Sequence, residues 1–193
     1  MRLILATSTV SALSRSELLA NIGYNVDLII NPNINGNKLE KELPHILSAR
    51  LARNKCLEVS KNFPEDIIIA ADTVLAKGRR VISRPTSKEE AARGYNLLSG
   101  GRHKVYTSVC IARLNKIINK TVTTSLKFKN LSEEEISVLL ESAEWRDGAN
   151  IYSCLGVASA YITWMNGSYT NVMGLPLHEI HRMLSGLGVQ QSI

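Results

Sequence analysis

The sequence predicts an α/β fold in which helices flank a long, mixed, twisted sheet, and three observations predict it. Apolar runs of strand length alternate with stretches of helical periodicity, the pattern that lays helices on a sheet. The run Ile67-Ile-Ile-Ala-Ala71 is continuously apolar and reads as a strand buried on both faces. Two longer segments on either side of Asn115-Lys116 alternate apolar with polar residues and read as an antiparallel hairpin. A purely parallel sheet is thereby excluded.

The elements follow in order. Met1-Arg-Leu-Ile-Leu-Ala6 breaks at Thr7-Ser8-Thr9, too early for a signal peptide, so Leu3–Ala6 is the first strand. Ser14-Arg-Ser-Glu17 has the serine-to-glutamate spacing of a capping box and opens a helix that runs to Gly23. A strand over Asn25–Ile30 leads into the asparagine-rich loop Asn31-Pro-Asn-Ile-Asn-Gly-Asn37. The next helix begins near Pro44, with Leu47, Leu51 and Cys56 facing inward and Arg50, Arg53 and Lys55 elsewhere. The buried strand Ile67–Ala71 then ends on a single carboxylate, Asp72. Thr86-Ser-Lys-Glu89 caps a helix carrying Ala91, Ala92, Tyr95 and Leu98 and stopping at Gly100-Gly101. The hairpin arms are Lys104–Leu114 and Ile117–Phe128. Ser132-Glu-Glu-Glu135 caps a helix with Ile136, Leu139 and Leu140 on one side. A strand over Val157–Thr163, an Asn166-Gly167 turn and a helix from Leu177 to about Leu184, ending near Gly186, complete the chain. No repeat or low-complexity linker interrupts it, so one domain over residues 1–193 is expected.

Composition narrows the function classes. With 193 residues, 45% hydrophobic and 21% charged, the chain has the make-up of a soluble domain with its own core. The net charge of +6 favours anionic partners, meaning nucleotides, nucleic acid or phospholipid. The basic residues are scattered, and aromatics are only 5%, which argues against a stacking platform for single strands. No apolar run is long enough to span a bilayer, and a cytoplasmic protein is expected. Cys56, Cys110 and Cys154 form no Cys-x-x-Cys pair and are expected as buried free thiols. Neither a P-loop nor a complete dinucleotide fingerprint is present, and His178-Glu-Ile-His181 lacks zinc-helix spacing.

A looser constellation remains. A carboxylate at the end of a buried strand carries a desolvation penalty unless cations or donors meet it, and Asp72 is followed by Lys77, Arg79, Arg80 and Arg84. Thr7-Ser8-Thr9, with Ser14 and Arg15 at a helix start, offers hydroxyls, free amides and a guanidinium to a phosphate. Lys55 lies on the helix before the Asp72 strand, and Arg84 precedes a proline that fixes its backbone. Taken singly, each has a plain structural reading: a capped turn, a solvated helix face, a surface loop.

Together these residues resemble a known family. Leu5-Ala-Thr-Ser8, Ser14-Arg-Ser-Glu-Leu-Leu19, Leu51-Ala-Arg-Asn-Lys55, Ala70-Ala-Asp-Thr-Val74 and Arg84-Pro85 are similar to segments of the Maf family of nucleoside triphosphate pyrophosphatases. So are Leu98-Ser-Gly-Gly-Arg-His-Lys-Val-Tyr-Thr107 and Gly167-Ser-Tyr-Thr-Asn-Val-Met-Gly-Leu-Pro176, and the order and spacing hold over nearly the whole chain. The resemblance implies two lobes on a long mixed sheet, with a nucleotide in the cleft between them. It implies hydrolysis of a nucleoside triphosphate to the monophosphate and pyrophosphate, assisted by a divalent metal (Mg²⁺ or Mn²⁺). By the same resemblance Asp72 is the general base, and a metal ligand if the protein supplies one. Arg15, Lys55 and Arg84 neutralise the triphosphate, while Ser8 and Thr73 contribute hydroxyls. Ala71-Asp-Thr73 looks like the branch acting on dTTP, UTP and related pyrimidine nucleotides, which makes Thr73 a selectivity position. The partner implied is the substrate alone, without nucleic acid or membrane, and a homodimer is compatible with it.

The chain departs from the family pattern at named places. The first loop is about three residues longer, and Arg15 stands alone where an arginine pair is usual. Asn33-Ile-Asn-Gly36 replaces an acidic segment, so metal affinity from that loop should fall. Arg84 stands for a lysine, keeping charge but changing donor geometry. In Ala149-Asn-Ile-Tyr-Ser-Cys-Leu-Gly156 an apolar Leu155 takes the place of a glutamine, which should loosen specificity. These losses motivate the rival reading, a catalytically impaired nucleotide-binding protein of the same fold. A nucleic-acid-binding module rests on net charge alone.

Overall fold

A computed structural model describes residues 1–114, 116–147 and 150–192. The elements are β1 (Leu3–Ala6), α1 (Thr9–Ala20), β2 (Leu28–Ile30), α2 (Pro44–Ser60), β3 (Ile67–Lys77), β4 (Arg80–Ile82) and α3 (Lys88–Leu98). They continue with β5 (Arg102–Arg113), β6 (Lys116–Phe128), α4 (Glu133–Glu141), α5 (Glu144–Asp147), a 3₁₀ turn (Val157–Tyr161), β7 (Ile162–Asn166), α6 (Tyr169–Val172) and α7 (Leu177–Gly186). The seven strands form one sheet in the order β2-β1-β3-β5-β6-β7, with β4 on β3. β1 pairs parallel with β2 and β3, and every other pair is antiparallel. The α/β class and the mixed sheet are as the sequence predicts.

β3 differs from expectation in a way that shapes the site. It does not end at Asp72 but runs on to Lys77, because β5 pairs with it from Ile68 to Ala76. On its other edge β1 covers only Ile67–Ala70 and β4 only Leu75–Lys77. Residues 71–74 are therefore left between two partners, and Asp72 and Thr73 stand in that gap.

The apolar core divides along the same strand. Side chains alternate across a strand, and Ile68 and Ala70 pack with Ala52, Cys56 and Val59 of α2. On the opposite face Ile67, Ile69 and Ala71 pack with Leu19 of α1 and Ile180, Met183 and Leu184 of α7. Further along that face Leu75 and Val105 join a separate cluster with Tyr95, Leu98, Phe128 and Leu139. Thr73 on β3 and Thr107 on β5 pair in register at the seam between these two clusters.

Several local predictions need correction. α1 starts at Thr9 with Ser8 as N-cap, not at Ser14, whose hydroxyl donates to the Ser11 carbonyl inside the helix. Nothing in Thr9–Leu13 breaks a helix, and burial of Ser11, Ala12, Arg15 and Leu19 gives it one inward face. The α3 cap is shifted by one residue: Ser87 accepts from the Glu90 amide, while Thr86 donates to the Glu90 carboxylate. The Ser132 capping box forms as predicted. β2 is shorter than Asn25–Ile30, since Asp27 turns its carboxylate onto the Leu3 amide. The expected strand at Val157 begins only at Ile162; the Glu144 carboxylate accepts the Ser153 and Val157 amides and coils the segment before it. Cys56 and Cys110 are buried in one cluster, whereas Cys154 is only partly buried. Asn115 of the predicted hairpin turn and Ala149 of the 149–156 segment lie outside the described residues. No helix among the described residues is long and apolar enough to cross a membrane.

Candidate active site

The gap in β3 opens into a cleft of about 220 Å³ lined by Ser8, Val10, Ser11, Arg15, Lys55, Asp72, Thr73 and Arg84. All six residues singled out by sequence line this one space. They arrive from four directions: the start of α1, the middle of α2, the exposed stretch of β3 and the loop after β4. Asp72 is the only acid among these lining residues, and Arg15, Lys55 and Arg84 are the cations.

Asp72 points to the α2 side, where its Oδ1 accepts from the Lys55 ammonium. Both side chains are mostly buried, 17% exposed for Lys55 and 13% for Asp72. Of the two readings of Lys55 offered by the sequence, the solvated helix face therefore does not hold. A part-buried ion pair of this kind is costly to break on one side only, because the remaining charge is left uncompensated.

Arg15 is only 5% exposed, yet its guanidinium is well supplied with partners. Nη1 donates to the Thr7 hydroxyl at 2.8 Å and to the Ala71 carbonyl at 3.0 Å, and Nε donates to the Gly174 carbonyl at 3.1 Å. The Ala71 carbonyl belongs to the unpaired edge of β3, so Arg15 takes up an acceptor that no strand reaches. Burial pulls the Arg15 guanidinium below its ordinary value and the Asp72 charge pulls it back; a guanidinium stays protonated in a protein. Among the described residues Nη2 makes no hydrogen bond, which leaves it for a ligand.

Ser8 caps α1 by backbone conformation without a side-chain cap bond, so its hydroxyl is free beside the first amides of a 12-residue helix. Such a helix start attracts anions. Arg84 is exposed, and one of its Nη2 protons goes to the Arg146 carbonyl. Thr73 bonds to Thr107, Oγ1 to Oγ1 at 3.0 Å, and Thr107 donates to the Asn171 carbonyl at 2.7 Å.

Sequence reasoning missed Thr107, Asn171 and Gly174 as contributors, and it offered the Thr7 hydroxyl to a phosphate where it accepts from Arg15. All three lie inside motifs already singled out, Thr107 at the end of Leu98–Thr107 and Asn171 and Gly174 within Gly167–Pro176. Only the fold shows why those segments matter: both come to lie against Thr73. Gly174 has φ +87, and a Cβ there would sit 3.1 Å from Thr73 Oγ1 and 3.4 Å from Arg15 Nη2. The Asn33–Gly36 loop contributes Ile34 to a cluster with Leu47, Leu51, Val74 and Val81, while Asn33 and Asn35 are not among the residues lining the cleft. Leu155 is 72% exposed and does not line the cleft either.

Fold and site together define a class: an α/β protein with an anion-receptive cleft at a break in strand pairing, holding one carboxylate among three cations. The comparison with known proteins makes the class specific. The family model described as Maf-like protein matches residues 2–187, and the chain belongs to that family. It is 41% identical over 175 residues to a dTTP/UTP pyrophosphatase of Cereibacter sphaeroides, covering 91% of each chain. It is 40% identical over 185 residues to a dTTP/UTP pyrophosphatase of a Wolbachia of Drosophila simulans, covering 95% of this chain and 92% of the relative. A nucleoside triphosphate pyrophosphatase of Ehrlichia chaffeensis is 39% identical over 184 residues, covering 95% and 94%.

Proposed function

We propose that this chain is a cytoplasmic nucleoside triphosphate pyrophosphatase that hydrolyses (d)NTP to (d)NMP and pyrophosphate, with dTTP and UTP as its substrate class. The names of its relatives support the reaction and the pyrimidine preference. The observation that carries it in this chain is the cleft itself, where Asp72 stands alone among Arg15, Lys55 and Arg84 at the start of α1. Hydrolysis of a phosphoric anhydride needs charge stabilisation and a placed water more than covalent help. The three cations and the α1 amides provide the first and Asp72 the second.

In the resting site the Lys55 ammonium occupies the Asp72 carboxylate. An ammonium has three donors, so an arriving triphosphate can share Lys55 while Asp72 turns to water. Arg15 is held too firmly to swing and presents Nη2 as a fixed contact, whereas Arg84 is exposed and can close on the polyphosphate by giving up its one bond to the Arg146 carbonyl. Ser8 donates its uncommitted hydroxyl. The two clusters that meet at Thr73 correspond, in this reading, to the two lobes that flank the nucleotide.

A divalent cation belongs to the proposal in a limited form. Among the described residues no group of three or more His, Cys, Asp or Glu side chains could hold a metal. Mg²⁺ is commonly held by one or two carboxylates together with substrate phosphates. The cleft fits that pattern with Asp72 as the one carboxylate among its lining residues. When bound, the ion would supply charge neutralisation on the polyphosphate.

The test is pyrophosphate release from a panel of triphosphates with Mg²⁺ or Mn²⁺. Asp72→Asn should lower turnover on UTP and dTTP by about 100- to 10,000-fold, the usual worth of a general base, with circular dichroism unchanged. Undiminished turnover would remove Asp72 from the role. Nucleotide binding without turnover across the panel would make the wild-type chain a binding protein of this fold, the reading that Asn33, Asn35 and Leu155 motivate.

A further inference from the structure

The direction of one hydroxyl proton follows from the bonds around Thr73. Thr107 Oγ1 lies 2.7 Å from the Asn171 carbonyl, which can only accept, so Thr107 gives its single proton there. Thr73 Oγ1 lies 3.0 Å from the same Thr107 oxygen. With the Thr107 proton already committed, Thr73 must donate to Thr107. The Thr73 hydroxyl therefore turns only lone pairs toward the cleft.

The arrangement is held firmly. Thr107 and Asn171 are both fully buried, and Asn171 is fixed by its own amide to the Val105 carbonyl at 3.1 Å and the Thr124 hydroxyl at 2.9 Å. Gly174 packs against Thr73 from the other side, where a Cβ would come within 3.1 Å. An acceptor-only oxygen cannot bond to phosphate oxygens, which carry no proton at a working pH. Its partner in the reacting complex must bring a proton, and the attacking water brings two.

We propose that Thr73 is a second acceptor for the nucleophilic water, and that Thr107, through its bond to the Asn171 carbonyl, is the positioning residue that makes it so. This rests on the pyrophosphatase reading. Asp72 reaches the gap in β3 from the α2 face and Thr73 from the α7 face, and both line the cleft. Water held between them donates one proton to Asp72 and one to Thr73, which aims an oxygen lone pair at phosphorus. As the new oxygen–phosphorus bond forms, Asp72 takes its proton. With the α-phosphorus as the centre attacked, its bond to the oxygen bridging the α- and β-phosphates breaks, and the electron pair leaves with pyrophosphate while the water oxygen stays on the monophosphate.

The test compares Thr73→Val, Thr73→Ser, Thr107→Val, Thr107→Ser and the Thr73→Val/Thr107→Val pair with wild type on UTP. Both valine variants should lower kcat about 10- to 100-fold, the scale of a misplaced reactant, with KM within about twofold. Both serine variants should stay near wild type. The double variant should be no slower than Thr73→Val alone, since Thr107 acts only through Thr73. Additive losses in the double variant, a rise in KM without loss of kcat, or a raised Mg²⁺ requirement would each overturn the assignment. Neutron diffraction from a deuterated crystal reads the proton directly and needs no activity: a deuteron on Thr107 pointing at Thr73 refutes the direction. A wild type inactive on every triphosphate would overturn the pyrophosphatase reading, and the water's role with it, while the diffraction result still decides the proton.

Discussion

His103 should make the stability of this protein depend on pH well above the carboxylate range. The imidazole is 2% exposed, wedged edge-on against Phe128 and Tyr152, with Nε2 2.6 Å from the Tyr152 hydroxyl. Its Nδ1 is buried and has no partner among the described residues. Burial, with a smaller contribution from Lys77, pulls its pKa from 6.5 down to about 4. The folded protein thus binds fewer protons than the unfolded chain between pH 6.5 and 4, and stability rises with pH through that window. The full shift corresponds to roughly 3 kcal/mol, of which about 2 kcal/mol is already lost at pH 5 relative to pH 7.5. Urea unfolding at those two pH values measures it. His103→Gln keeps a group able to bond Tyr152 but removes the titration, so the variant should lose about 2 kcal/mol less than wild type on the same step. Parallel losses in the two proteins would refute the reasoning and move the pH dependence to other groups.

Two further substitutions probe the frame of the cleft. Gly174→Ala forces a side chain onto a left-handed residue and against Thr73 Oγ1 and Arg15 Nη2; it should cost about 1–3 kcal/mol and lower turnover, read by thermal melting and pyrophosphate release. Retention of both would mean that the Met173–Leu175 backbone gives way easily. Glu42 is almost fully buried and pairs through both oxygens with Arg50, which also holds the Asn37 carbonyl at 2.8 Å. Glu42→Gln should cost about 1–3 kcal/mol and make the Asn31–Lys41 loop a faster site for proteolysis. Unchanged cleavage there would show that the loop is held by Ile34 alone.

The sheet was legible wherever local sequence decides. Ile67–Ala71 could only be a buried strand, and the alternation along Lys104–Phe128 could only be a half-buried hairpin. What was not legible came from partners distant in sequence. Nothing within Asp72-Thr-Val74 says that the strand continues; β5 dictates it by pairing these residues with Tyr106–Ser108. Ser14 has the spacing of a cap, but Ser8 is placed by the end of β1 and takes the role first. Of the site, Arg15, Lys55, Asp72 and Arg84 were named only through the resemblance to the Maf family, since each taken singly also had a plain structural reading. Thr107 and Asn171 were not, since a buried hydroxyl and amide in apolar surroundings show their worth only through the bonds they make.

The position of the site follows from the sheet rather than from any single motif. A strand edge without a partner exposes backbone groups that must be satisfied, and β3 has such an edge because its pairing with β1 stops at Ala70 and its pairing with β4 starts only at Leu75. Arg15 takes the Ala71 carbonyl, so the gap is stabilised by a cation that also faces the cleft. Ordinarily adjacent strand residues serve opposite faces and never meet a common ligand. At an open edge they can, and the step from Asp72 to Thr73 brings a carboxylate from the α2 side and an acceptor hydroxyl from the α7 side into one space. Closing the gap with a longer β1 would satisfy the backbone equally well, but it would cover both side chains and displace Arg15. The short first strand is thus part of the site, as much as the acid it leaves uncovered.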